Sequence, residues 1–202
     1  MKRIIDVILS LVGILLLTPF FLLIAILIKL DSKGPVFFRQ KRIGLRGEPF
    51  RIWKFRTMKI GSEIKGQLTV GSHDERVTKF GLILRNYKID ELPQLFDVLR
   101  GKMSIVGPRP EVERYILKYE SSVREKILSV RPGITDSASL LMIDENQLLS
   151  QFKNAEKGYI DEIMPIKAKI YVNYVNGHTI WGDFKIILKT VIRIFKRKQG
   201  KI

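Results

Sequence analysis

The 202-residue sequence contains no cysteine and only two histidines. Without cysteine the protein has no disulfide scaffold, no thiolate nucleophile and no cysteine-ligated zinc or iron–sulfur site. His73 lies in a polar, glycine-containing stretch and His178 follows an Asn-Gly pair, so both are expected in solvent-facing loops. A catalytic or binding site must therefore be built from carboxylates and cations.

Common signatures and acidic residues are also scarce. The chain has no Walker A loop, no glycine-rich dinucleotide fingerprint, no nucleophile elbow and no H-E-x-x-H motif. It has no helix-turn-helix, zinc-finger or RNP pattern either. Its 36 Lys and Arg against 20 Asp and Glu give a formal net charge of +16. A chain of this charge favours anionic partners, namely phosphorylated substrates, acidic lipid or nucleic acid.

Charge is absent between Val7 and Ile28, and this stretch predicts a membrane helix. At 1.5 Å per residue it would extend roughly 33 Å, enough for the ~30 Å hydrocarbon core of a bilayer. The run is too long for the apolar region of a signal peptide, and no small-x-small cleavage pattern follows it. The segment is therefore expected to remain as an anchor.

Two topologies are open for this anchor. Pro19 removes a helical hydrogen bond and predicts a kink at Thr18-Pro19. Lysine and arginine flank both ends of the anchor, so the positive-inside rule is satisfied best when both ends stay on the cytoplasmic side. A re-entrant helix meets this condition, and a kinked single-pass helix is the alternative.

Two further segments carry strong patterns. The stretches Val36–Arg42 and Phe50–Phe55 predict a short β-hairpin, and residues 39–56 interleave basic with aromatic residues. Such a basic and aromatic segment is typical of nucleic-acid contact, a diphosphate site or contact with lipid headgroups. The tail 184–202 predicts an amphipathic cationic helix with Asp183 as its N-cap. This helix is expected either on an anionic membrane surface or packed on the domain core.

Asp90 and Glu91 begin a helix predicted over residues 90–100. An acidic pair at a helix start is often only a cap, because the free N–H groups there favour anions. Here Arg85 precedes the pair, and Arg109 follows between two prolines in a rigid turn suited to bidentate phosphate recognition. A carboxylate beside phosphate-binding cations favours magnesium-dependent phosphoryl transfer.

Four ordered motifs resemble those of the bacterial sugar transferase family, over nearly the whole chain. They are Lys54-Phe55-Arg56-Thr57-Met58, Asp90-Glu91-Leu92-Pro93-Gln94-Leu95, the segment 103–110 and Arg131-Pro132-Gly133-Ile134-Thr135. Members of this family are monotopic phosphoglycosyl transferases that load a sugar phosphate onto undecaprenyl phosphate. The sequence resembles the minimal form, without the additional membrane spans of larger members.

The resemblance implies a UDP-sugar donor, undecaprenyl phosphate as acceptor, UMP as the released nucleotide and Mg²⁺ as cofactor. Asp90 would be the nucleophile of a phosphosugar–aspartyl intermediate and would also meet Mg²⁺, and Glu91 would assist at the metal or with the acceptor. Phosphate or substrate contacts would come from Arg56, Arg85, Arg109, Gln94, Glu111 and Arg131.

The resemblance also favours the re-entrant topology, with Thr18-Pro19 where members often have Ser-Pro, on the cytoplasmic face of the bacterial inner membrane. The expected fold class is α+β and mainly helical, with a small hairpin and interfacial amphipathic helices around a compact cytoplasmic domain. The expected domains are an anchor at 1–31, a catalytic domain at 32–183 and the basic tail at 184–202.

Two departures from the family pattern leave the sugar open. Asp136-Ser137-Ala138-Ser139 stands where many members continue Gly-Trp-Ala-Gln, and Arg56 replaces a lysine seen in some relatives. The alternative functions are a membrane-anchored binder of nucleic acid or another anionic polymer, and a structural anchor. Neither would require Asp90 and Arg109 together, and no nucleic-acid partner is expected.

Overall fold

The computed structural model describes residues 1–62, 74–142 and 145–196, so His73 and the last six tail residues lie outside it. In chain order the elements are α1 (Lys2–Asp31), β1 (Phe37–Ile43), β2 (Pro49–Phe55), α2 (Lys79–Asn86), α3 (Leu95–Leu99), β3 (Ser104–Val106), α4 (Glu113–Ile116), α5 (Ser121–Leu128), β4 (Gly133–Thr135), α6 (Ser137–Leu141), α7 (Glu145–Leu149), α8 (Ala155–Gly158), α9 (Met164–Gly177) and α10 (Ile180–Lys196). A 3₁₀ turn covers Ile89–Gln94, and a π-helical turn joins α8 to α9. The described residues are mainly helical with small sheets, which confirms that part of the predicted fold class.

The anchor α1 continues as a helix through Pro19. The Thr18 hydroxyl donates to the carbonyl of Ile14 at 2.7 Å, one turn earlier. By length and composition α1 is apolar enough to cross a membrane, and only 11% of its most apolar 18-residue stretch is buried. Most of its surface therefore faces away from the rest of the fold.

Both ends of α1 nevertheless contact the same folded domain. Near the start, the buried carboxylate of Asp6 accepts hydrogen bonds from the Ser104 hydroxyl at 2.8 Å and the Ile105 N–H at 3.2 Å. At the other end, the Asp31 carboxylate accepts one from the N–H of Phe80 at 3.2 Å. The domain thus contacts α1 near both of its ends.

The second half of α1 also supplies apolar core. Phe21, Ile24 and Ile28 are buried and pack with Phe55 of β2 and Leu84 of α2. The Phe21 and Phe55 rings meet edge to face with centroids 5.4 Å apart. Each such buried side chain contributes about 1.5–3 kcal/mol relative to exposure.

The start of α10 is joined to the start of α1. The Lys2 ammonium donates to the carboxylate of Asp183, and the hydroxyl of Tyr174 lies 2.8 Å from the same carboxylate. Asp183 is therefore not the N-cap that the sequence predicts, because α10 begins three residues earlier. The Thr179 hydroxyl occupies the capping position and accepts a hydrogen bond from the Gly182 N–H at 3.0 Å.

The predicted hairpin is confirmed by the antiparallel pairing of β1 with β2. The predicted helix over residues 90–100 is wrong in its first half, where the chain forms the 3₁₀ turn before α3 begins. Pro93 has no N–H to donate to a helical ladder, so a tighter turn replaces α-helix there. This turn packs on β2. The helix α3 is joined to the same strand, because the Trp53 N–H donates to the Asp97 carboxylate at 2.8 Å.

The parallel pairing of β3 with β4 is a feature that the sequence did not predict. It joins two of the four motifs, since the Ser104 N–H donates to the carbonyl of Pro132 at 2.8 Å and the Gly107 N–H donates to that of Thr135 at 3.1 Å. A Cβ atom built on Gly133 would lie 2.1 Å from the Gly107 nitrogen. Only glycine therefore permits the two strands to approach this closely.

We expect Gly133→Ala to destabilise the protein by ~1–3 kcal/mol, because the added methyl overpacks the β3–β4 contact. Thermal unfolding in detergent measures the effect. Gly177→Ala is the matched control, since a Cβ atom there meets nothing within 4 Å. Equal melting temperatures for the two variants would contradict the assigned pairing.

Candidate active site

The 3₁₀ turn carries Asp90 and Glu91 into the interior, where each residue is 7% exposed. Lys88, directly before the turn, has a φ of 56° in the left-handed region. A side chain other than glycine in this region costs free energy and persists only where the surrounding structure enforces it. The chain is thus bent sharply to bury two adjacent carboxylates.

Glu91 is the centre of an ion cluster. Lys54 of β2 donates to Glu91 Oε1 at 3.0 Å. Arg109 Nη1 donates to Glu91 Oε2 at 3.0 Å, and Arg109 Nη2 donates to Oε1, so the guanidinium is bidentate. The cluster unites residues from three of the four sequence motifs.

This cluster sets the ionisation of its members. Burial alone would raise the pKa of Glu91, but the charges of Arg109 and Lys54 hold that pKa well below its ordinary value. The charge of Glu91 in turn raises the pKa of Arg109 well above its ordinary value. The pair is therefore ionised over the physiological pH range.

The pKa of Asp90 is shifted in the opposite direction, above its ordinary value. Burial raises its pKa, the negative charge of Glu91 raises it further, and the charge of Lys54 lowers it. The Asp90 Oδ1 atom is buried without a hydrogen-bond partner among the described residues. A raised pKa makes the ionised carboxylate more basic, and its unpartnered oxygen is not committed to another group.

Among the described residues, no group of three or more Asp, Glu or His side chains is placed to hold a metal ion. Both carboxylate oxygens of Glu91 are engaged by Arg109 and Lys54, which leaves Asp90 as the available carboxylate. Mg²⁺ is commonly held by one or two carboxylates together with water and substrate phosphates. The residues present therefore fit a magnesium ion that arrives with a phosphate substrate.

A cavity of about 390 Å³ lies beside the cluster. Glu91 and Arg109 line it together with Ile187, Val191 and Ile194 of α10. A smaller cavity of about 100 Å³ shares Arg109 and contains Glu111. There the Glu111 carboxylate accepts a hydrogen bond from the Tyr159 hydroxyl at 2.6 Å. Arg109 thus lies between the two cavities.

The other predicted contact residues occupy different surroundings. Gln94 is buried at the end of the 3₁₀ turn, and Arg85 Nε donates to the Thr57 hydroxyl at 2.8 Å. Burial lowers the pKa of Arg85, and the negative charge of Asp90 partly opposes this effect. Their roles in substrate binding stay predictions.

Two predicted phosphate ligands contact main-chain carbonyls in the structure. The buried Arg56 donates to the carbonyls of Ser32 and Lys33, just after α1. Arg131 Nε donates to the carbonyl of Gly101 at 2.8 Å. These bonds tie Arg56 to the anchor and Arg131 to the end of α3, and the predicted phosphate contacts of both residues stay predictions.

Two residues of the site region were missed by sequence reasoning. Lys54 belongs to the first of the four motifs, but its ion pair with Glu91 depends on the packing of β2 against the 3₁₀ turn. Asp136 is buried at the start of α6 and accepts hydrogen bonds from Ser139, and burial raises its pKa. The negative charge of Asp136 raises the pKa of Arg109. The departure from the family pattern at 136–139 was the available signal for Asp136.

The basic and aromatic segment 39–56 forms the hairpin. Phe50 and Phe55 are buried in two different apolar clusters, and the Arg39 guanidinium lies 4.0 Å from the centre of the Trp53 ring. Base stacking would need exposed rings. The nucleic-acid alternative stays an untested prediction.

Comparison with known proteins gives concordant matches. Residues 1–197 match the family model described as bacterial sugar transferase. A UDP-glucose:undecaprenyl-phosphate glucose-1-phosphate transferase of Klebsiella pneumoniae is 38% identical over 98% of this chain and 41% of its own length. A UDP-N-acetylgalactosamine-undecaprenyl-phosphate N-acetylgalactosaminephosphotransferase of Aeromonas hydrophila is 36% identical over 94% of this chain and 42% of its own length.

An exopolysaccharide production protein PSS of Rhizobium leguminosarum is 36% identical over 99% of this chain and 98% of its own length. The chain thus spans about two fifths of the length of the first two relatives and nearly all of the third. The match over residues 1–197 includes the anchor, the Asp90–Glu91 pair and Arg109. The chain belongs to the bacterial sugar transferase family.

Proposed function

We propose that the protein is a phosphoglycosyl transferase that moves a sugar 1-phosphate from a UDP-sugar to undecaprenyl phosphate and releases UMP, as a first membrane step of glycan assembly. The observation that carries the proposal is the buried Asp90, one oxygen of which has no hydrogen-bond partner in the described part of the chain, beside a Glu91 that holds Lys54 and Arg109. The names of the relatives support these two substrates and leave the sugar open, since one names glucose and another N-acetylgalactosamine.

The proposed reaction has two displacements at one phosphorus. The ionised Asp90 carboxylate attacks the sugar-bearing phosphorus, a carboxylate oxygen–phosphorus bond forms, and the bond to the bridging oxygen breaks so that its electron pair leaves with UMP. A phosphate oxygen of undecaprenyl phosphate then attacks the same phosphorus and displaces Asp90, which takes back the electron pair of its bond. The product is undecaprenyl-diphosphate-sugar.

The cations have an electrostatic role in this scheme. Arg109 and Lys54 oppose the negative charge on the phosphoryl oxygens, and Glu91 holds both cations in place. Mg²⁺, when bound with the donor diphosphate and Asp90, would supply further charge neutralisation. Because nucleotide leaves before the acceptor reacts, the water-soluble donor and the lipid acceptor need not bind together.

We also propose that α1 is re-entrant, with both ends on the cytoplasmic face of the inner membrane. A helix that crosses a bilayer separates its ends by the ~30 Å hydrocarbon core. One folded domain would not then contact both ends, yet Asp6 and Asp31 both accept hydrogen bonds from it. Basic residues at both ends of α1 support the same topology.

Adding a UDP-sugar without acceptor should release up to one equivalent of UMP and add a sugar phosphate to the protein. Intact mass and nucleotide analysis measure the two signals. Asp90→Asn should lose both, because an amide is a poor nucleophile, while unfolding behaviour and membrane binding are retained. Asp161→Asn is the matched control, since Asp161-Glu162 is an exposed Asp-Glu pair. UMP release only with both substrates present, or an adduct on Asp90→Asn, would refute the covalent intermediate.

Lys54→Gln should move the acid limb of nucleotide release to higher pH. Asp90 must be ionised to attack, and the positive charge of Lys54 lowers the pKa of Asp90, so removing that charge raises the pKa. The measurement is the pH dependence of UMP release, and its midpoint rather than its amplitude is the readout. Lys41→Gln, at an exposed lysine of the neighbouring strand, should leave the midpoint in place. A shift to lower pH would oppose the assigned electrostatics.

The topology is tested with single cysteines, since the chain has none. A cysteine inserted after Met1 and a Ser32→Cys variant should both resist an impermeant thiol reagent in intact cells. Both should react once the inner membrane is permeabilised. Labelling of one of them in intact cells would establish a single-pass helix instead.

A further inference from the structure

The inner face of α10 forms one wall of the 390 Å³ cavity. Ile187, Val191 and Ile194 line this wall, and the hydroxyls of Thr190 and Thr135 lie 2.7 Å apart and tie α10 to β4. The helix therefore does more than present a cationic face to a surface. Part of it faces the same cavity as the ion cluster at Glu91.

The lining of this cavity is divided by chemistry. Hydrocarbon side chains from the 3₁₀ turn, α3 and α6, including Leu92, Leu95 and Leu140, face the apolar residues of α10. The cations of the lining are Lys88, Arg109 and Arg193. Its carboxylates are Glu91, which is paired with Arg109, and Glu145, which is paired with Lys167. This combination complements a ligand with one anionic group and a hydrocarbon chain. The uncharged polar residues of the lining are Asn86, Thr135, Ser139 and Thr190, and the hydroxyls of Thr135 and Thr190 are bonded to each other. Apolar residues outnumber them, so the lining suits a hydrocarbon chain better than a base and a ribose.

The apolar lining continues to the membrane anchor. Leu95 lies against α1, where a Cβ atom on Gly13 would be 3.3 Å from Leu95 Cδ1. Ile105 and Ile187 line this cavity and also line a smaller one together with Leu9 of α1. A hydrocarbon chain leaving the cavity on this side would meet the exposed apolar surface of α1.

We propose that this cavity is the acceptor subsite, in which Arg193 binds the phosphate of a polyprenyl phosphate and α10 contacts its first isoprenoid units. The proposal rests on the proposed function and names the residues that select the lipid substrate. It makes α10 a wall of the substrate site as well as a surface helix. The nucleotide-sugar donor is the competing occupant, and the experiment separates the two.

The experiment uses the full chain in detergent, so that bilayer binding does not enter the measurement. Ile187→Asn alters the apolar wall, and Leu188→Asn is its control because Leu188 is 60% exposed and does not line the cavity. Arg193→Gln removes the proposed phosphate ligand, and Lys189→Gln removes an exposed cation from the same helix. The protein is first loaded with a UDP-sugar, and decay of the adduct is then followed against undecaprenyl phosphate concentration.

We expect Ile187→Asn and Arg193→Gln each to raise the half-saturating acceptor concentration about tenfold, as expected for the loss of one substantial contact. Both controls should stay within about twofold, a change below 0.5 kcal/mol. UMP release before acceptor is added should keep its wild-type amplitude in all four variants. Equal effects of Ile187→Asn and Leu188→Asn, or a loss of UMP release that matches the loss of transfer, would overturn the assignment.

A second measurement does not depend on the covalent intermediate. Farnesyl phosphate with a diazirine at its ω end is irradiated with the protein in the absence of UDP-sugar. Labelling of the peptide that contains Ile187, reduced by undecaprenyl phosphate and by Arg193→Gln, supports the subsite even if the Asp90 adduct is not found. Labelling elsewhere, or labelling reduced by a UDP-sugar and not by undecaprenyl phosphate, would refute it.

Discussion

The burial of the Glu91 carboxylate is the constraint on which the site depends. A carboxylate removed from water is stable only when cations and hydrogen bonds compensate for the lost hydration, and a buried charge left without its partner costs several kcal/mol. Lys54 of the hairpin and Arg109 of the loop after β3 supply that compensation. The hairpin and the loop after β3 must therefore both be in place before the 3₁₀ turn can be buried.

The adjacent carboxylates acquire different properties from this arrangement. Glu91 takes up the nearest positive charges, and Asp90 remains buried beside a negative neighbour with a raised pKa. One carboxylate thus holds the cations, and the other keeps an oxygen that has no hydrogen-bond partner among the described residues. Two acidic residues in sequence are distinguished here only by which of them faces Lys54 and Arg109, and that is a property of the packing.

Local patterns predicted the elements that depend on local sequence. The apolar run of α1, the alternation in the hairpin and the periodicity of α10 each correspond to an observed element. Features that depend on distant contacts were missed: the pairing of β3 with β4, the ion pair of Lys54 with Glu91, and the bonds of Arg56 to Ser32 and Lys33. The Asp183 cap was wrong because α10 begins at Ile180 and Thr179 caps it, which leaves the Asp183 carboxylate to Lys2 and Tyr174. The sequence motifs predicted that Asp90, Glu91 and Arg109 belong to one site, and Arg109 does contact Glu91. The prolines on either side of Arg109 restrict its backbone, and that restriction is visible in the sequence.

The bond between Lys2 and Asp183 joins positions 181 residues apart. Because α1 precedes α10 in the chain, it is synthesised before α10 exists. The starts of α1 and α10 can therefore meet only after α10 has been translated, and closure of so long a loop is entropically costly. In the proposed re-entrant topology, a bilayer that holds α1 near its surface would reduce the volume that α10 must search. The lipid would in this way act as a template for the fold.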